Sequence, residues 1–170
     1  TAFIARIFEG VGCPRDEAQQ VGEHLVGANL RGHDSHGVIR TLGYVQQVRN
    51  GTLIPGAPTT VERESMATAL IDGGWNLGQP VAIRAMDIAV AKAREAGVAF
   101  VSVHNVGHIG RVGAYGEQAL EHGMIAMGGV NSPGGRLTAA FGGTQRRTGT
   151  SPIMIAMPGG NPEEPFVLDM

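Results

Sequence analysis

The chain has 170 residues, a length that accommodates one domain or two small ones. Its 13 basic and 15 acidic residues give a formal net charge of -2, which argues against an electrostatic nucleic-acid binder, because such a protein carries a basic excess. Hydrophobic residues make up 42% and charged residues 16%, which excludes a disordered chain, and the single cysteine, Cys13, excludes an internal disulfide framework.

Neither a membrane span nor a secretion signal is visible in the sequence. No run approaches the roughly 18 apolar residues that a transmembrane helix requires. No basic segment followed by an apolar one opens the chain. We therefore expect an intracellular, cytoplasmic protein that does not contact membranes.

Helices dominate the predicted structure of the first 50 residues. A helical pattern is already under way at Thr1, which suggests that the chain is a piece of a longer one. Pro14 favours the start of a second helix, with Asp16 and Glu17 in its first turn, where the helix dipole favours acids. The predicted helices lie at about 1–8, 14–32 and 38–50.

Strands and helices alternate after residue 55, which predicts an α/β or α+β fold. The predicted strands are 59–64, 67–71, 98–103, 124–130, 153–157 and 166–168. The predicted helices between them are 81–96 and 110–122. We place an internal boundary between residues 55 and 56, so that 1–55 is an N-terminal helical part and 56–170 is an α/β part that is truncated at its C-terminal end.

The segment from Asp34 to Tyr44 offers donors for an anion. Asp34 or Ser35 can cap the third predicted helix. A helix would then place a polar stripe on one face. The stripe consists of His36, Arg40 and Tyr44, and a separate apolar face consists of Ile39, Leu42 and Val45. Because arginine binds a carboxylate through two parallel hydrogen bonds, the stripe could hold a carboxylate, although a solvated helix face with a capping turn explains the same pattern.

Two histidines follow the buried strand 98–103. His104 and His108 lie at or just past its end, where ligands bind in α/β folds. An imidazole there could take or give a proton at physiological pH. Glycine supplies 27 of the 170 residues, and those at 107, 110 and 113 would let a ligand or another backbone approach. A helix-entry turn with one structural histidine is the alternative.

The sequence gives little support for a metal site or for a common nucleotide-binding motif. His33, Asp34, His36, His104 and His108 could form a metal site, but the last two lack the Glu of a zinc-binding helix, so no metal ligand is predicted. The glycine spacing is not G-x-G-x-x-G, and residues 143–149 lack the Gly-Lys-Ser/Thr of a P-loop. The loops 131–135 and 148–152 could serve a cofactor, but turn residues alone explain both equally well.

Four motifs in this order resemble the type-2 malate/L-lactate dehydrogenase family. They are Asp34-Ser-His-Gly-x-x-Arg40, Asn105-Val-Gly-His-Ile-Gly-Arg111, Asn131-Ser-Pro and Gly149-Thr-Ser-Pro-Ile. The family includes ureidoglycolate and sulfolactate dehydrogenases and some cyclic-imine reductases. The resemblance implies a non-Rossmann fold that binds NAD or NADP, with a mixed sheet and flanking helices. It also implies a homodimer of chains roughly twice this length, with 1–55 in a substrate and dimer domain and 56–170 in a cofactor-binding part.

The resemblance also implies a role for each matching residue. His108 would be the catalytic base and Arg40 would grip the substrate carboxylate. The other implied substrate-binding residues are Ser35, His36, Tyr44 and Ser132. The implied cofactor-binding residues are His108, Gly110, Ser132, Gly149, Thr150, Ser151, Asp169 and Met170. Ser151 stands where the family usually has Asn.

These expectations combine into an oxidoreductase that acts on a small carboxylate. It would transfer a hydride between NAD or NADP and a 2-hydroxy acid or 2-oxo acid of the malate, lactate, ureidoglycolate or sulfolactate type. One alternative is an NAD(P)H-dependent reductase of cyclic imino acids. Another is a metal-dependent hydrolase or lyase that uses the histidine cluster.

Overall fold

The N-terminal helices form around an apolar cluster. In the computed structural model, which describes residues 1–131, 137–161 and 164–170, helix α1 spans Ala2–Glu9 and helix α2 spans Arg15–Leu30. Asp16 and Glu17 occupy the first turn of α2, as the sequence predicted. The largest side chains of the cluster that these helices share with later segments are Phe8, Leu25, Tyr44, Leu53 and Leu77.

The third predicted helix begins with a 3-10 turn. Over the predicted range 38–50, the 3-10 turn Val38–Arg40 leads into helix α3, which spans Thr41–Arg49, and a separate 3-10 turn, Asp34–His36, precedes them. Gly37 separates the two turns in an extended conformation (φ -86°, ψ -155°). Of the predicted apolar face only Val45 packs into the apolar cluster, whereas Ile39 and Leu42 are exposed.

The prediction that Asp34 or Ser35 caps this helix is also wrong. Neither Asp34 nor Ser35 makes a side-chain capping bond to the turns or to α3. The side chain of Asn29, from the end of α2, accepts the N–H of Val38 at 2.8 Å and donates to the carboxylate of Asp34. The turn is therefore fastened by a residue of another helix.

A mixed sheet follows, as the fold prediction requires. Strand β1 (Thr60–Glu64) pairs antiparallel with β2 (Thr68–Asp72), and β2 pairs parallel with β3 (Phe100–His104). Helix α4 (Gly78–Ala96) provides the crossover between the two parallel strands and ends at Gly97, whose φ of 80° suits glycine. This combination of helices and a mixed sheet confirms the α/β class.

Two compact units divide the chain, Thr1–Arg111 and Val112–Met170. In the second, helix α5 (Gly113–Leu120) accompanies two sheets. Their strands are β4 (Ala126–Gly129), β5 (Thr138–Ala139), β6 (Arg146–Thr148), β7 (Ile153–Met157) and β8 (Phe166–Asp169). The β5–β6 pair was not predicted.

The boundary between these two compact units, at 111/112, differs from the predicted boundary at 55/56. The predicted boundary separates a substrate part from a cofactor-binding part of the chain, and it stays a prediction. Among the described residues, no helix combines the length and the apolar character that crossing a bilayer requires.

Candidate active site

His108 lies four residues beyond β3, in the loop that leads toward α5. The Oη atom of Tyr44 is 2.6 Å from Nδ1 of His108, and the ring of His36 lies 5.1 Å from the His108 ring, centroid to centroid. Arg40 is close enough for its positive charge to act on the His108 imidazole. The structure thus brings together side chains that are more than 60 residues apart in the chain.

Burial and neighbouring positive charge set the protonation state of His108. Burial of the ring lowers its pKa from 6.5 to about 4, and the charges of His36 and Arg40 act in the same direction. The imidazole is therefore neutral at physiological pH. The residue as a whole is still exposed, so a substrate can reach it.

Tyr44 is the buried support of this imidazole. It projects from α3 into the apolar cluster, with its ring 6.4 Å from that of Phe8. Nε2 of Gln79, at the start of α4, donates to the Tyr44 hydroxyl at 3.2 Å and to the backbone carbonyl of His108 at 3.3 Å. Burial raises the pKa of Tyr44, so the phenol keeps its proton.

The two 3-10 turns hold the other predicted substrate residues. Oγ of Ser35 is 2.8 Å from Nδ1 of His36, and the His33 ring packs edge-on against His36 at 4.6 Å. Nε of Arg40 donates to the carbonyl of Ser35 at 2.5 Å. This bond fixes the direction of the guanidinium and uses only one of its five N–H groups.

Two residues of this arrangement were missed by the sequence reasoning. Asn29 fastens the turn at Val38, and Gln79 joins Tyr44 to the backbone of His108. Neither lies in a motif: Asn29 acts on a turn five to nine residues later, and Gln79 acts across 29 and 35 residues. Asn29 could have been found from its place, since it is a polar residue near the end of α2, just before the turn that it holds. No local sequence feature distinguishes Gln79.

His104 does not share the site with His108. Its Nε2 lies 2.9 Å from a carboxylate oxygen of Glu62 on β1, and this contact raises the pKa of His104. Among the residues that the structure describes, no group of three or more His, Cys, Asp or Glu could hold a metal ion.

The glycines after β3 are needed first for packing within the chain. A Cβ at Gly107 would meet Leu53 and the carbonyl of Asn76. At Gly110, whose φ is 76°, a Cβ would meet the side chains of His24 and Gln79. The close approach predicted for these positions is therefore made by the protein itself, and contact of Gly110 with a cofactor stays a prediction.

The other candidate cofactor residues lie in the second unit. Gly149 accepts a hydrogen bond from Oγ1 of Thr138 at 2.9 Å, and Thr150 and Ser151 follow it on an exposed loop. The carboxylate of Asp169 accepts the N–H of Gly113 at 2.9 Å, and the backbone of Met170 pairs with Ile153. Ser132 lies outside the described residues.

Known proteins resemble this chain along its whole length. The sequence model of the family described as malate/L-lactate dehydrogenase matches residues 1–170. A malate dehydrogenase from Pyrococcus horikoshii is 40% identical over 99% of this chain and 46% of its own, and its solved structure superposes with a TM-score of 0.93.

Two further relatives differ in their named substrates. An L-sulfolactate dehydrogenase from Methanocaldococcus jannaschii is 36% identical over 99% of this chain and 48% of its own, and a solved sulfolactate dehydrogenase from that organism has a TM-score of 0.92. A Δ1-pyrroline-2-carboxylate/Δ1-piperideine-2-carboxylate reductase from Pseudomonas putida is 30% identical over 99% of this chain and 49% of its own. The chain spans about half the length of the curated relatives it matches.

Proposed function

The chain belongs to the malate/L-lactate dehydrogenase family, and from that premise we propose that the protein transfers a hydride between NAD or NADP and a small 2-hydroxy or 2-oxo acid. One observation carries the proposal: a neutral imidazole, His108, is held by Tyr44 within the electrostatic reach of the Arg40 guanidinium. An acid–base group beside a carboxylate-binding cation is what a 2-hydroxy acid requires.

Arg40 would bind the substrate carboxylate through two parallel hydrogen bonds. His108 would then take the hydroxyl proton as the C2–H bond breaks, and in the opposite direction it would return that proton to the carbonyl oxygen. When bound, the nicotinamide supplies the acceptor or donor of the hydride. The side chains present fit these roles: Arg40 can bind a carboxylate and His108 can transfer a proton. Hydride transfer to or from a nicotinamide requires neither a protein nucleophile nor a metal ligand. The resemblance assigns contacts with the cofactor to Gly149, Thr150, Ser151, Asp169 and Met170, and to Ser132 outside the described residues.

Substrate binding would also tune the base. The electrostatic influence of His36 and of the Arg40 guanidinium contributes to the low pKa of His108. A carboxylate bound at Arg40 would offset that charge and raise the pKa toward its ordinary value. His108 would therefore exchange a proton more readily once a substrate is in place.

A cyclic imino acid reductase is the second candidate. The relative from Pseudomonas putida, named as a reductase of Δ1-pyrroline-2-carboxylate and Δ1-piperideine-2-carboxylate, favours it. Such a substrate also carries a carboxylate that Arg40 could bind. The histidine cluster gives less support to a metal-dependent hydrolase or lyase, because His104 is engaged with Glu62.

The test is a substrate panel on the full-length protein. Oxidation of NADH and of NADPH would be followed by absorbance with 2-oxo acids and with cyclic imino acids. We expect turnover with a 2-oxo acid, and we expect His108→Ala to lower kcat by about 10²–10⁴-fold while fluorescence titration shows unchanged cofactor affinity. Near-normal turnover in His108→Ala would remove the residue from this role.

His104→Ala is the matched control, since it removes a histidine at the end of β3, four residues before His108, that pairs with Glu62 instead. It should leave kcat within about twofold of the original, as expected for a surface ion pair of small energetic value. The homodimer that the resemblance implies and the cytoplasmic location expected from the sequence are proposals as well, and light scattering on the full-length protein tests the first.

A further inference from the structure

The orientation of the Gln79 side chain is fixed by an atom that can only accept. Gln79 is fully buried at the start of α4, and its Nε2 lies 3.3 Å from the backbone carbonyl oxygen of His108. A flipped amide would place Oε1 against that carbonyl, which is repulsive. The nitrogen, with its two N–H groups, must therefore face His108.

This orientation sets the direction of the next hydrogen bond. The same nitrogen lies 3.2 Å from the hydroxyl of Tyr44, and an amide nitrogen only donates. The phenol oxygen accepts there, so its own proton is available to Nδ1 of His108 at 2.6 Å. The donors run from Gln79 through Tyr44 to His108.

A second donor converges on the same ring nitrogen. The backbone N–H of Gly110 points to Nδ1 of His108 at 3.3 Å, and a backbone N–H cannot accept. With Tyr44 and Gly110 both donating, Nδ1 must offer its lone pair. The proton of the neutral ring is then on Nε2.

Stability alone does not account for a glutamine at this position. Its Oε1 is buried and has no hydrogen-bond partner among the described residues. An unpaired buried acceptor is destabilising, and an apolar side chain of similar size would avoid that penalty. The amide nitrogen is the part of Gln79 that the site uses.

We propose that Gln79 is a positioning residue that holds neutral His108 in the tautomer with its proton on Nε2, acting through the hydroxyl of Tyr44. The resting imidazole then presents its Nε2–H as a hydrogen-bond donor to the carbonyl oxygen of a 2-oxo acid. To transfer that proton as the hydride arrives, the ring must first take a second proton at Nδ1, so that it ends as a neutral imidazole. Before it accepts the proton of a 2-hydroxy acid, the neutral ring must change tautomer: Nε2 releases its proton to water, Nδ1 takes a proton from water, and the Tyr44 hydroxyl then accepts the Nδ1–H. This use of the tautomer rests on the proposed function, whereas the tautomer itself rests on the hydrogen bonds.

The tautomer is measured directly by long-range ¹H–¹⁵N correlation spectra of the full-length protein labelled in histidine. At pH 7, above the His108 pKa of about 4, the ring is neutral. The His108 signals are assigned by their loss in His108→Gln. We expect Nε2 to show the shift of a protonated ring nitrogen and Nδ1 that of an unprotonated one. The reverse pattern overturns the proposal.

The role of Gln79 is separated by a pair of variants. Gln79→Met keeps the length of the side chain but removes the donor, so the Tyr44 hydroxyl can turn and accept from Nδ1, and a mixture of both tautomers is expected. Gln46→Met, on the exposed face of α3, should leave the spectrum unchanged. An unmixed Nε2–H tautomer in Gln79→Met would show that Gly110 suffices and that Gln79 does not position the ring. The spectra require neither substrate nor cofactor. They therefore test the tautomer of His108 independently of the proposed enzymatic function.

Discussion

The backbone carbonyl of His108 lies so close to Gly78 that a methyl group on Gly78 would overlap it. The carbonyl of Gly107 closes the same space. Helix α4 therefore begins directly against the backbone that carries the candidate base. Glycine is required at residue 78 because of this approach and not because of its own φ angle.

We expect Gly78→Ala to push residues 107–108 away from α4 and to move the His108 imidazole off Tyr44. A displacement of about 1 Å of a catalytic group can cost about 10²-fold in rate, so kcat should fall by that order. Steady-state assays of the full-length protein would measure it. An unchanged kcat would contradict the contact.

Gly27→Ala is the control for this substitution. Gly27 lies in the interior of α2, where a Cβ would make only an ordinary contact with Arg31. Alanine is favoured over glycine in a helix by roughly 0.5–1 kcal/mol, so this variant should be slightly more stable and equally active.

The low pKa of His108 predicts a dependence of stability on pH. Its value of about 4 in the folded protein lies below the 6.5 of the unfolded chain. As the pH falls from 6.5 to 4, the unfolded chain binds a proton that the folded protein does not, so the free energy of unfolding decreases over this window and the contribution is constant below it.

Urea denaturation at pH 7 and pH 4.5 would measure this effect. His108→Asn should lose less stability than the original protein between the two values, by about 1 kcal/mol, a figure reduced because the residue is partly open to solvent. Equal losses would show that the pKa of His108 is not lowered. The raised pKa of His104 acts with the opposite sign and is common to both proteins.

Arg40 offers a test of carboxylate binding. We expect Arg40→Lys to raise KM for 2-oxo acids by about 10–100-fold, because a point charge cannot form the two parallel bonds and each hydrogen bond to a charged group is worth about 1.5–3 kcal/mol. The bond from Nε to the carbonyl of Ser35 is lost as well. Arg49→Lys, in the last turn of α3, is the control and should leave KM unchanged. An unchanged KM in Arg40→Lys would reject the role.

The residues of the site could be predicted from the sequence more fully than the structure that holds them. His36, Arg40, Tyr44 and His108 were identified by their chemistry and by motif resemblance, and they converge. The helix expected over 38–50 has a 3-10 first turn, and His36 lies in a separate turn before an extended Gly37, which helical spacing does not reveal. A Cβ at Gly37 would overlap the side chain of Asn29, a contact between segments that no local pattern encodes.

The supporting residues could not be found for the same reason. Gln79 lies 29 residues from His108 and 35 from Tyr44, and its value depends on the direction of two hydrogen bonds. The β5–β6 pair has a two-residue strand and a three-residue one, which are too short for an alternation of apolar and polar residues to show. Only tertiary contacts define such elements.

Ser151 lies in the left-handed region of backbone conformation, with a φ of 48°. The family that the chain resembles usually has Asn at this position. An ordinary L-residue pays roughly 1–2 kcal/mol there, and asparagine pays less. We therefore expect Ser151→Asn to raise the free energy of unfolding by about 0.5–1 kcal/mol, measured by urea denaturation of the full-length protein. Ser102→Asn, on the exposed face of β3, should give no gain, because asparagine is disfavoured in strands. If both substitutions change stability equally, backbone conformation is not what distinguishes residue 151.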